Sequence, residues 1–121
     1  MFAITSRSVG GVMVLDLSGR LSSGESISSF RDEARRSGGE GKGCLLINLE
    51  AVPYIDSLGL ESLIEIYNSV RSRHGEVRFL NPARKVAELL GLTKLTAVFE
   101  IYVDEATAIA SLKDSAGSST D

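Results

Sequence analysis

The residues best suited to chemistry lie in a short turn, Asp56-Ser57-Leu58-Gly59, between an apolar run and a helical pattern. Asp56 or Ser57 can accept hydrogen bonds from the first free N–H groups of that helix. A hydroxyl at this position faces solvent, and a helix N-terminus tolerates a dianion there. Phosphorylation of Ser57 would therefore add a charge of about −2 to the surface without unfolding the domain. The pattern is consistent with a phosphorylation-controlled docking point.

Two other interpretations of the same turn stay open. An Asp-Ser pair before a helical pattern is often only an N-cap with no further role. A serine hydrolase would place Ser57 in a G-x-S-x-G frame, but Ile55 occupies the position of the first glycine. His74, at the far end of the same predicted helix, is poorly placed as its base. These features favour a protein that is not an enzyme.

The scarcity of metal-binding side chains limits the chemistry further. The chain has one cysteine, Cys44, and one histidine, His74, which excludes an intrachain disulfide, a cysteine metal cluster and a multi-histidine site. The glycine-rich segment 38–43 does not match a phosphate-binding loop, because Gly43 stands where serine or threonine is required and a strand follows. We therefore expect no cofactor and no metal.

Composition argues against two further classes of protein. The 121 residues carry 13 Lys and Arg against 16 Asp and Glu, a net charge of −3. The sequence lacks a basic stripe that could neutralise the phosphates of a nucleic acid. No signal-peptide pattern opens the chain, and no apolar stretch approaches the roughly 18 residues of a membrane span. A cytoplasmic protein is therefore expected.

The elements that position the turn follow from periodicity and from helix and strand breakers. Apolar runs on either side of Gly10-Gly11 predict an opening hairpin. Asn81 and Pro82 are expected to be the N-cap and first-turn proline of the third helix, and Asp104 is expected to cap the fourth. The predicted strands are 2–7, 12–18, 44–49, 76–80 and 98–102, and the predicted helices are about 25–37, 58–73, 82–91 and 105–112.

Strands that alternate with helices after a hairpin indicate an α/β fold. We expect a mixed, mostly parallel sheet of about five strands covered by about four helices. One domain is predicted over residues 1–112, followed by a disordered polar tail over 113–121. Because the carboxyl ends of parallel strands share one edge of a sheet, the loops after Leu17 and Leu49 are expected to lie there together.

Four segments of the chain, in this order and spacing, resemble the successive blocks of a STAS domain. They are Leu15–Leu21, Leu46–Leu49, Val52–Leu60 and Val86–Leu90. The resemblance covers about residues 4–112. More narrowly, the free-standing chain is similar to bacterial anti-sigma factor antagonists.

The resemblance implies a partner switch that regulates sigma-factor-dependent transcription. In this family, the unphosphorylated antagonist captures an anti-sigma factor that is also a serine kinase, and so frees the sigma factor. The kinase phosphorylates the antagonist on the serine of the D-S-x-G turn, which releases it. A serine phosphatase then resets the antagonist.

The resemblance also implies roles for individual residues. Ser57 is the phosphate acceptor, Asp56 shapes the turn, and Gly59 permits a close approach. The Gly19–Ser23 loop matches the family's second contact region. With the outward-facing Glu61 added, the expected partner-binding residues are Arg20, Leu21, Ser22, Ser23, Asp56, Ser57, Leu58, Gly59 and Glu61.

Two positions depart from the family pattern. Leu58 follows the acceptor, where the family commonly has a small or polar residue, and Ser22 stands where aspartate is frequent.

A second hypothesis keeps the fold and changes the role. In it, the chain is a STAS subunit of a lipid-transport or other multiprotein complex, and Ser57 contacts a partner without being phosphorylated.

Overall fold

Strands and helices alternate along the chain as the sequence predicts. The computed structural model describes residues 2–22, 24–38 and 43–118. It confirms an α/β fold with a five-stranded sheet and four α-helices in the described ranges. The strands are β1 (Ala3–Val9), β2 (Val12–Ser18), β3 (Cys44–Ala51), β4 (Glu76–Leu80) and β5 (Ile101–Tyr102), and the helices are α1 (Gly24–Gly38), α2 (Ser57–Ser72), α3 (Arg84–Leu92) and α4 (Glu105–Ser118).

The strands form one sheet in the order β1-β2-β3-β4-β5. β1 runs antiparallel to β2, and each later pair of neighbours is parallel. The opening hairpin turns through Gly10 and Gly11, whose φ angles of 60° and 88° are the left-handed values that a two-residue type I′ turn requires. Right-handed crossovers that advance in one direction across the sheet place α1, α2 and α3 on the same face.

The two faces of the sheet carry separate apolar clusters. The larger cluster joins the sheet to α1, α2 and α3, and the smaller joins it to α4. On β3, Leu45 and Ile47 belong to the larger cluster and Leu46 to the smaller, as expected for a central strand covered on both faces. The residues of α4 in the smaller cluster are Ala108, Ile109 and Leu112. None of the helices in the described ranges is long and apolar enough to cross a bilayer.

A charged cluster links β1 to the start of α4. The Arg7 guanidinium donates to Asp16 on β2 (Nε to Oδ2, 2.6 Å) and to Glu105, the first residue of α4 (Nη2 to Oε1, 2.6 Å). Asn48 on β3 donates to the other oxygen of Asp16 at 2.8 Å. The hydrogen bonds from Arg7 lower the pKa of Asp16 and the pKa of Glu105 below their ordinary values. Three strands and a helix are thereby joined at this point.

The predicted cap of α3 is wrong. Asn81 has a left-handed φ of 46°, and its N–H donates to the carbonyl of Tyr102 at 2.8 Å, so Asn81 continues the pairing between β4 and β5. The helix begins only at Arg84, after an N-cap residue, Ala83, that makes no side-chain cap bond. The pairing with β5 therefore overrides the local preference of the Asn-Pro dipeptide for a helix start.

The last strand is shorter than predicted. Only Ile101–Tyr102 pair with β4, whereas the apolar run suggested a strand over 98–102. The preceding Leu95–Ala97 form a 3₁₀ turn, and the N–H of Phe99 donates back to the carbonyl of Leu95 at 2.7 Å. A short apolar run alone does not distinguish a helical turn from a strand.

The last helix is capped as predicted and is longer than predicted. Asp104 accepts from the N–H of Thr107 at 2.9 Å. α4 then runs to Ser118, through part of the segment for which a disordered tail is predicted, since no proline interrupts residues 113–118. The rest of that tail, 119–121, lies outside the described residues, as do Ser23 and residues 39–42 of the glycine-rich connector.

Candidate functional site at the loops after β2 and β3

The loops that follow β2 and β3 lie side by side at the carboxyl ends of the parallel strands. The N–H of Gly19 donates to the carbonyl of Ala51 at 3.0 Å, and the N–H of Leu21 donates to the carbonyl of Tyr54 at 3.2 Å. Leu21 also forms an isolated parallel bridge with Ile55. These main-chain bonds hold the start of α2 against the loop after β2, as the topology predicts.

Asp56 is the residue that caps α2. Its extended backbone (φ −103°, ψ −172°) places the carboxylate so that Oδ1 accepts from the N–H of Gly59 at 2.9 Å. Its carbonyl accepts the first helical bond, from the N–H of Leu60, also at 2.9 Å. The cap interpretation therefore accounts for Asp56 and leaves the role of Ser57 open.

Gly59 is required by the close contact between α2 and the loop after β2. A Cβ built on Gly59 would lie 2.0 Å from the carbonyl oxygen of Leu21 and 2.7 Å from Cγ1 of Ile55. Side chains with a Cβ are therefore excluded at this position. The close approach expected of Gly59 is thus made by the backbone of its own chain.

Ser62 is a further structural residue of the turn that the sequence reasoning missed. It is fully buried, and its Oγ donates to the carbonyl of Gly59 at 2.6 Å. The buried stripe of α2 is Gly59, Ser62, Leu63, Ile66 and Val70. The apolar residues spaced three and four apart in this segment of the sequence indicate a stripe about one position away: Leu60, Leu63, Ile64, Tyr67 and Val70. The available signal was that Ser62 and Leu63 lie three and four residues after Gly59. Glycine and serine are not apolar, however, and so do not indicate a buried stripe.

The outer side of the turn is exposed. Ser57, the first residue of α2, faces solvent, and Leu58 beside it is 54% exposed. Tyr54 is 43% exposed. The guanidinium of Arg20 lies 5.3 Å from the centre of the Tyr54 ring, within the range of a cation–π contact. Glu61, one turn into α2, is also exposed.

The predicted contact loop after β2 is only partly available to a partner. Arg20 is exposed, but Leu21 is fully buried and belongs to the larger apolar cluster. Its side chain therefore anchors the loop instead of reaching outward. Ser22 is half-buried, and its N–H donates to Oγ of Ser26 at 3.2 Å. Ser23 lies outside the described residues.

The first N–H groups of α2 and the helix dipole favour a negative charge at Ser57. His74 follows the opposite end of α2. It comes 17 residues after Ser57, which at 1.5 Å per helical residue places it about 25 Å from Ser57. The serine-hydrolase interpretation, which needs a histidine within hydrogen-bond reach of Ser57, is therefore wrong.

Comparison with known proteins places this geometry in context. The family model of the STAS domain matches residues 3–108. No curated protein sequence matches the chain. Solved structures share its fold at identities below 25%, which establishes likeness of fold alone.

Three of these structural relatives are anti-sigma factor antagonists or were proposed to be. The proposed antagonist of Thermotoga maritima is 23% identical, with a TM-score of 0.81 over 91% of this chain and 94% of the other. The antagonist of Mycobacterium paratuberculosis is 18% identical, with a TM-score of 0.82 over 93% and 95%. The antagonist SpoIIAA in its unphosphorylated form is 17% identical, with a TM-score of 0.69 over 92% and 98%. Bacillus SpoIIAA has also been solved in its phosphorylated form (18%, TM-score 0.67, over 87% and 96%).

Proposed function

The chain belongs to the STAS domain family, and we propose that within it this protein is an anti-sigma factor antagonist controlled by phosphorylation of Ser57. In its unphosphorylated form it binds an anti-sigma factor that is also a serine kinase, and so frees a sigma factor for transcription. Phosphorylation of Ser57 releases the kinase, and a serine phosphatase restores the binding form. The protein acts in signalling by binding and by accepting phosphate, without catalysing a reaction.

One observation carries the proposal: Ser57 is exposed at the first position of α2 while Asp56 performs the capping. A serine that capped the helix would have its side-chain oxygen engaged with the first N–H groups of the helix. Because the cap at this turn is a neighbouring carboxylate, the Ser57 hydroxyl is available to a kinase. The two solved forms of SpoIIAA show that this fold exists with and without phosphate in that protein.

The exposed residues around Ser57 supply the docking surface. Leu58 and Tyr54 are two of the five large apolar residues that are exposed in the described ranges. Tyrosine and arginine are enriched among residues that dominate binding energy, and here Arg20 stacks on Tyr54. Ser57 is exposed next to Leu58, so we expect a partner that covers Leu58 to cover Ser57 as well.

The same proximity explains why phosphate would release the partner. A phosphoserine carries about −2 charge, and burying an unpaired charge at an apolar contact costs several kcal/mol. The carboxylate of Asp56 and that of Glu61 add like charge nearby, so the partner would face a concentrated negative surface. Each 1.4 kcal/mol lost weakens binding tenfold. We therefore expect phosphorylation to weaken the complex by about a hundredfold or more.

The test compares two substitutions of the acceptor. Ser57→Ala is expected to bind the cognate anti-sigma factor kinase as tightly as the unphosphorylated chain and to stay bound in the presence of ATP. Ser57→Asp is expected to lower the affinity by about a hundredfold, as judged by titration calorimetry, because it places a fixed charge at the contact. Equal affinity of the two variants would contradict the switch.

A matched control distinguishes the effect of a negative charge at Ser57 from that of a negative charge elsewhere on α2. Ser69 is exposed on the same helix, 12 residues and about 18 Å further along. Ser69→Asp is expected to leave kinase binding unchanged. If Ser57→Asp, Ser57→Ala and the native chain all bind one partner equally well, the chain is instead a STAS subunit of a complex in which Ser57 is never phosphorylated.

A further inference from the structure

Strand β1 is an open edge of the sheet. It has seven residues and pairs with β2 on one side only. Because Val9 and Val12 close a two-residue hairpin as a hydrogen-bonded pair, every second residue of β1 directs its main-chain groups to β2. The N–H and C=O groups of the alternate residues, Ile4, Ser6 and Ser8, point away from the sheet. Within the described part of the chain these groups have no hydrogen-bond partner.

This edge lacks the features with which most sheets protect a strand of this length. β1 contains neither proline nor lysine, and its register with β2 runs without a bulge. Its one charged residue, Arg7, is ion-paired with Asp16 and Glu105 of its own chain. The edge is therefore free to pair with another strand.

The sequence of β1 is compatible with a second copy of itself. In an antiparallel pair centred on Ser6, the outward main-chain groups of Ser6 meet those of Ser6 in the other copy, and Ile4 meets Ser8. About six main-chain hydrogen bonds then form. Arg7 lies opposite Thr5, so no like charges face each other across the junction.

The helices leave room for this pairing. α1 crosses β1, β2 and β3, of which β2 is the middle strand, and α4 packs over β2 to β5 while its first residue, Glu105, is ion-paired with Arg7 on β1. With strands about 4.8 Å apart, the two α1 helices would lie about 14 Å apart. That separation exceeds the helix diameter of about 10–12 Å. The antiparallel arrangement also directs the two Ser57 turns to opposite ends of the combined sheet.

We infer that β1 is a dimerisation edge through which two copies of this chain associate by antiparallel β1 pairing into one continuous ten-stranded sheet. Since a single edge strand buries less than the roughly 1,200 Å² of a standard interface, the dimer is weak, with a dissociation constant on the order of micromolar to millimolar. The inference does not depend on phosphorylation of Ser57.

Two single-cysteine variants of the full chain test the register. Ser6 and Ser8 are both exposed on the same face of β1, and the native Cys44 is buried. In the inferred pair the two Cα atoms at position 6 lie about 5.5 Å apart, within disulfide range, whereas those at position 8 lie about 14 Å apart. Under mild oxidation, Ser6→Cys is expected to form a covalent dimer about tenfold or more faster than Ser8→Cys. Equal rates, or no cross-linking of Ser6→Cys, would overturn the inference.

A charge substitution tests the same contact without oxidation. Ser6→Lys places two ammonium groups opposite each other at the centre of the pair and is expected to weaken the dimer by about tenfold or more in sedimentation equilibrium. Ser28→Lys, on the exposed side of α1, is the control and is expected to leave dimerisation unchanged. A native chain that stays monomeric up to about 1 mM, or a dimer that tolerates Ser6→Lys, would contradict the inference.

Discussion

On the inner side of the turn that begins α2, Gly59 lies against the Leu21 backbone and Asp56 caps the helix, whereas on the outer side Ser57 and Leu58 face solvent. Adjacent residues of one sequence motif therefore have different roles. The inner residues hold the shape of the turn through contacts within the chain itself. The outer residues contribute little packing and can be bound, substituted or modified while the fold stays intact.

The largest effect on stability is expected from Gly59→Ala. The added Cβ would meet the Leu21 carbonyl oxygen at 2.0 Å, so the helix start or the loop after β2 must move. We expect the free energy of unfolding to fall by about 3 kcal/mol or more in urea denaturation. Gly91→Ala in α3 is the control, because a Cβ there meets nothing within 4 Å and helix propensity favours alanine. Equal stability of the two variants would show that the inner side is not rigid.

The next largest effect is expected on binding, from Leu58→Ala on the outer side. Removing a leucine side chain that a partner covers costs about 1.5 kcal/mol, or about tenfold in the dissociation constant for the anti-sigma factor kinase. The free energy of unfolding should change by less than about 0.5 kcal/mol, since Leu58 is 54% exposed. Leu92→Ala, at an 81% exposed leucine on α3, should change neither quantity. A similar loss of affinity in both variants would move the docking surface away from the turn.

Asp56→Ala should lower stability less than Gly59→Ala, because the inner side then loses one cap hydrogen bond without a steric clash. Loss of the hydrogen bond to the Gly59 N–H is expected to lower the free energy of unfolding by about 1 kcal/mol. Asp56→Asn should retain the cap and the stability, because asparagine caps as well as aspartate. The measurement is chemical denaturation of both variants. If the asparagine variant were as unstable as the alanine variant, the negative charge and not the cap bond would hold the turn.

An effect of at most similar size is expected outside the turn, at the charged cluster of Arg7. The folded chain lowers the pKa of Asp16 and of Glu105 through hydrogen bonds from Arg7, so near pH 4 the unfolded chain binds more protons. Stability from this cluster is therefore fully present above about pH 5 and is lost as the pH falls through the lowered values. Arg7 is 41% exposed, which limits the effect to about 1 kcal/mol.

Arg7→Gln checks this assignment. The variant is expected to lose up to about 1 kcal/mol at pH 7 and to show a shallower loss of stability between pH 5 and pH 3 than the native chain. The measurement is thermal unfolding across that pH range. An unchanged dependence of stability on pH would show that the loss of stability in acid arises from groups other than Arg7, Asp16 and Glu105.

The sequence was sufficient for most of the fold and for the position of the turn that begins α2, since both depend on local patterns. Apolar runs, Gly10-Gly11 and the helical spacing after Gly59 gave the hairpin, the central strands and α2 within one or two residues. Two features were not predictable from local patterns because distant contacts decide them. Asn81 continues the pairing with Tyr102 instead of capping α3, and Leu21 is buried although its loop looks like a contact surface.

The buried stripe of α2 shows that distant contacts also limit prediction within the site. Leu60, Leu63 and Ile64 suggested an apolar face, but the helix turns Gly59 and Ser62 inward because the loop after β2 approaches closely there. Only tertiary contact distinguishes a serine that holds the turn, Ser62, from one that faces solvent, Ser57.

The smallest effect on stability is expected at Ser57 itself. Ser57→Ala should change the free energy of unfolding by less than about 0.5 kcal/mol, because the residue is exposed and Asp56 supplies the cap. A loss near 1 kcal/mol in denaturation would mean that Ser57 shares the capping and belongs to the inner side after all.

The central claim, that the outer side of this turn is a phosphorylation switch, is tested most directly by mass spectrometry. The native chain is incubated with the candidate anti-sigma factor kinase and ATP, digested, and searched for the modified residue. The account predicts one phosphoryl group, on Ser57, and none in Ser57→Ala. Phosphate on any other residue, or an unmodified chain in a stable complex with an active kinase, would contradict it.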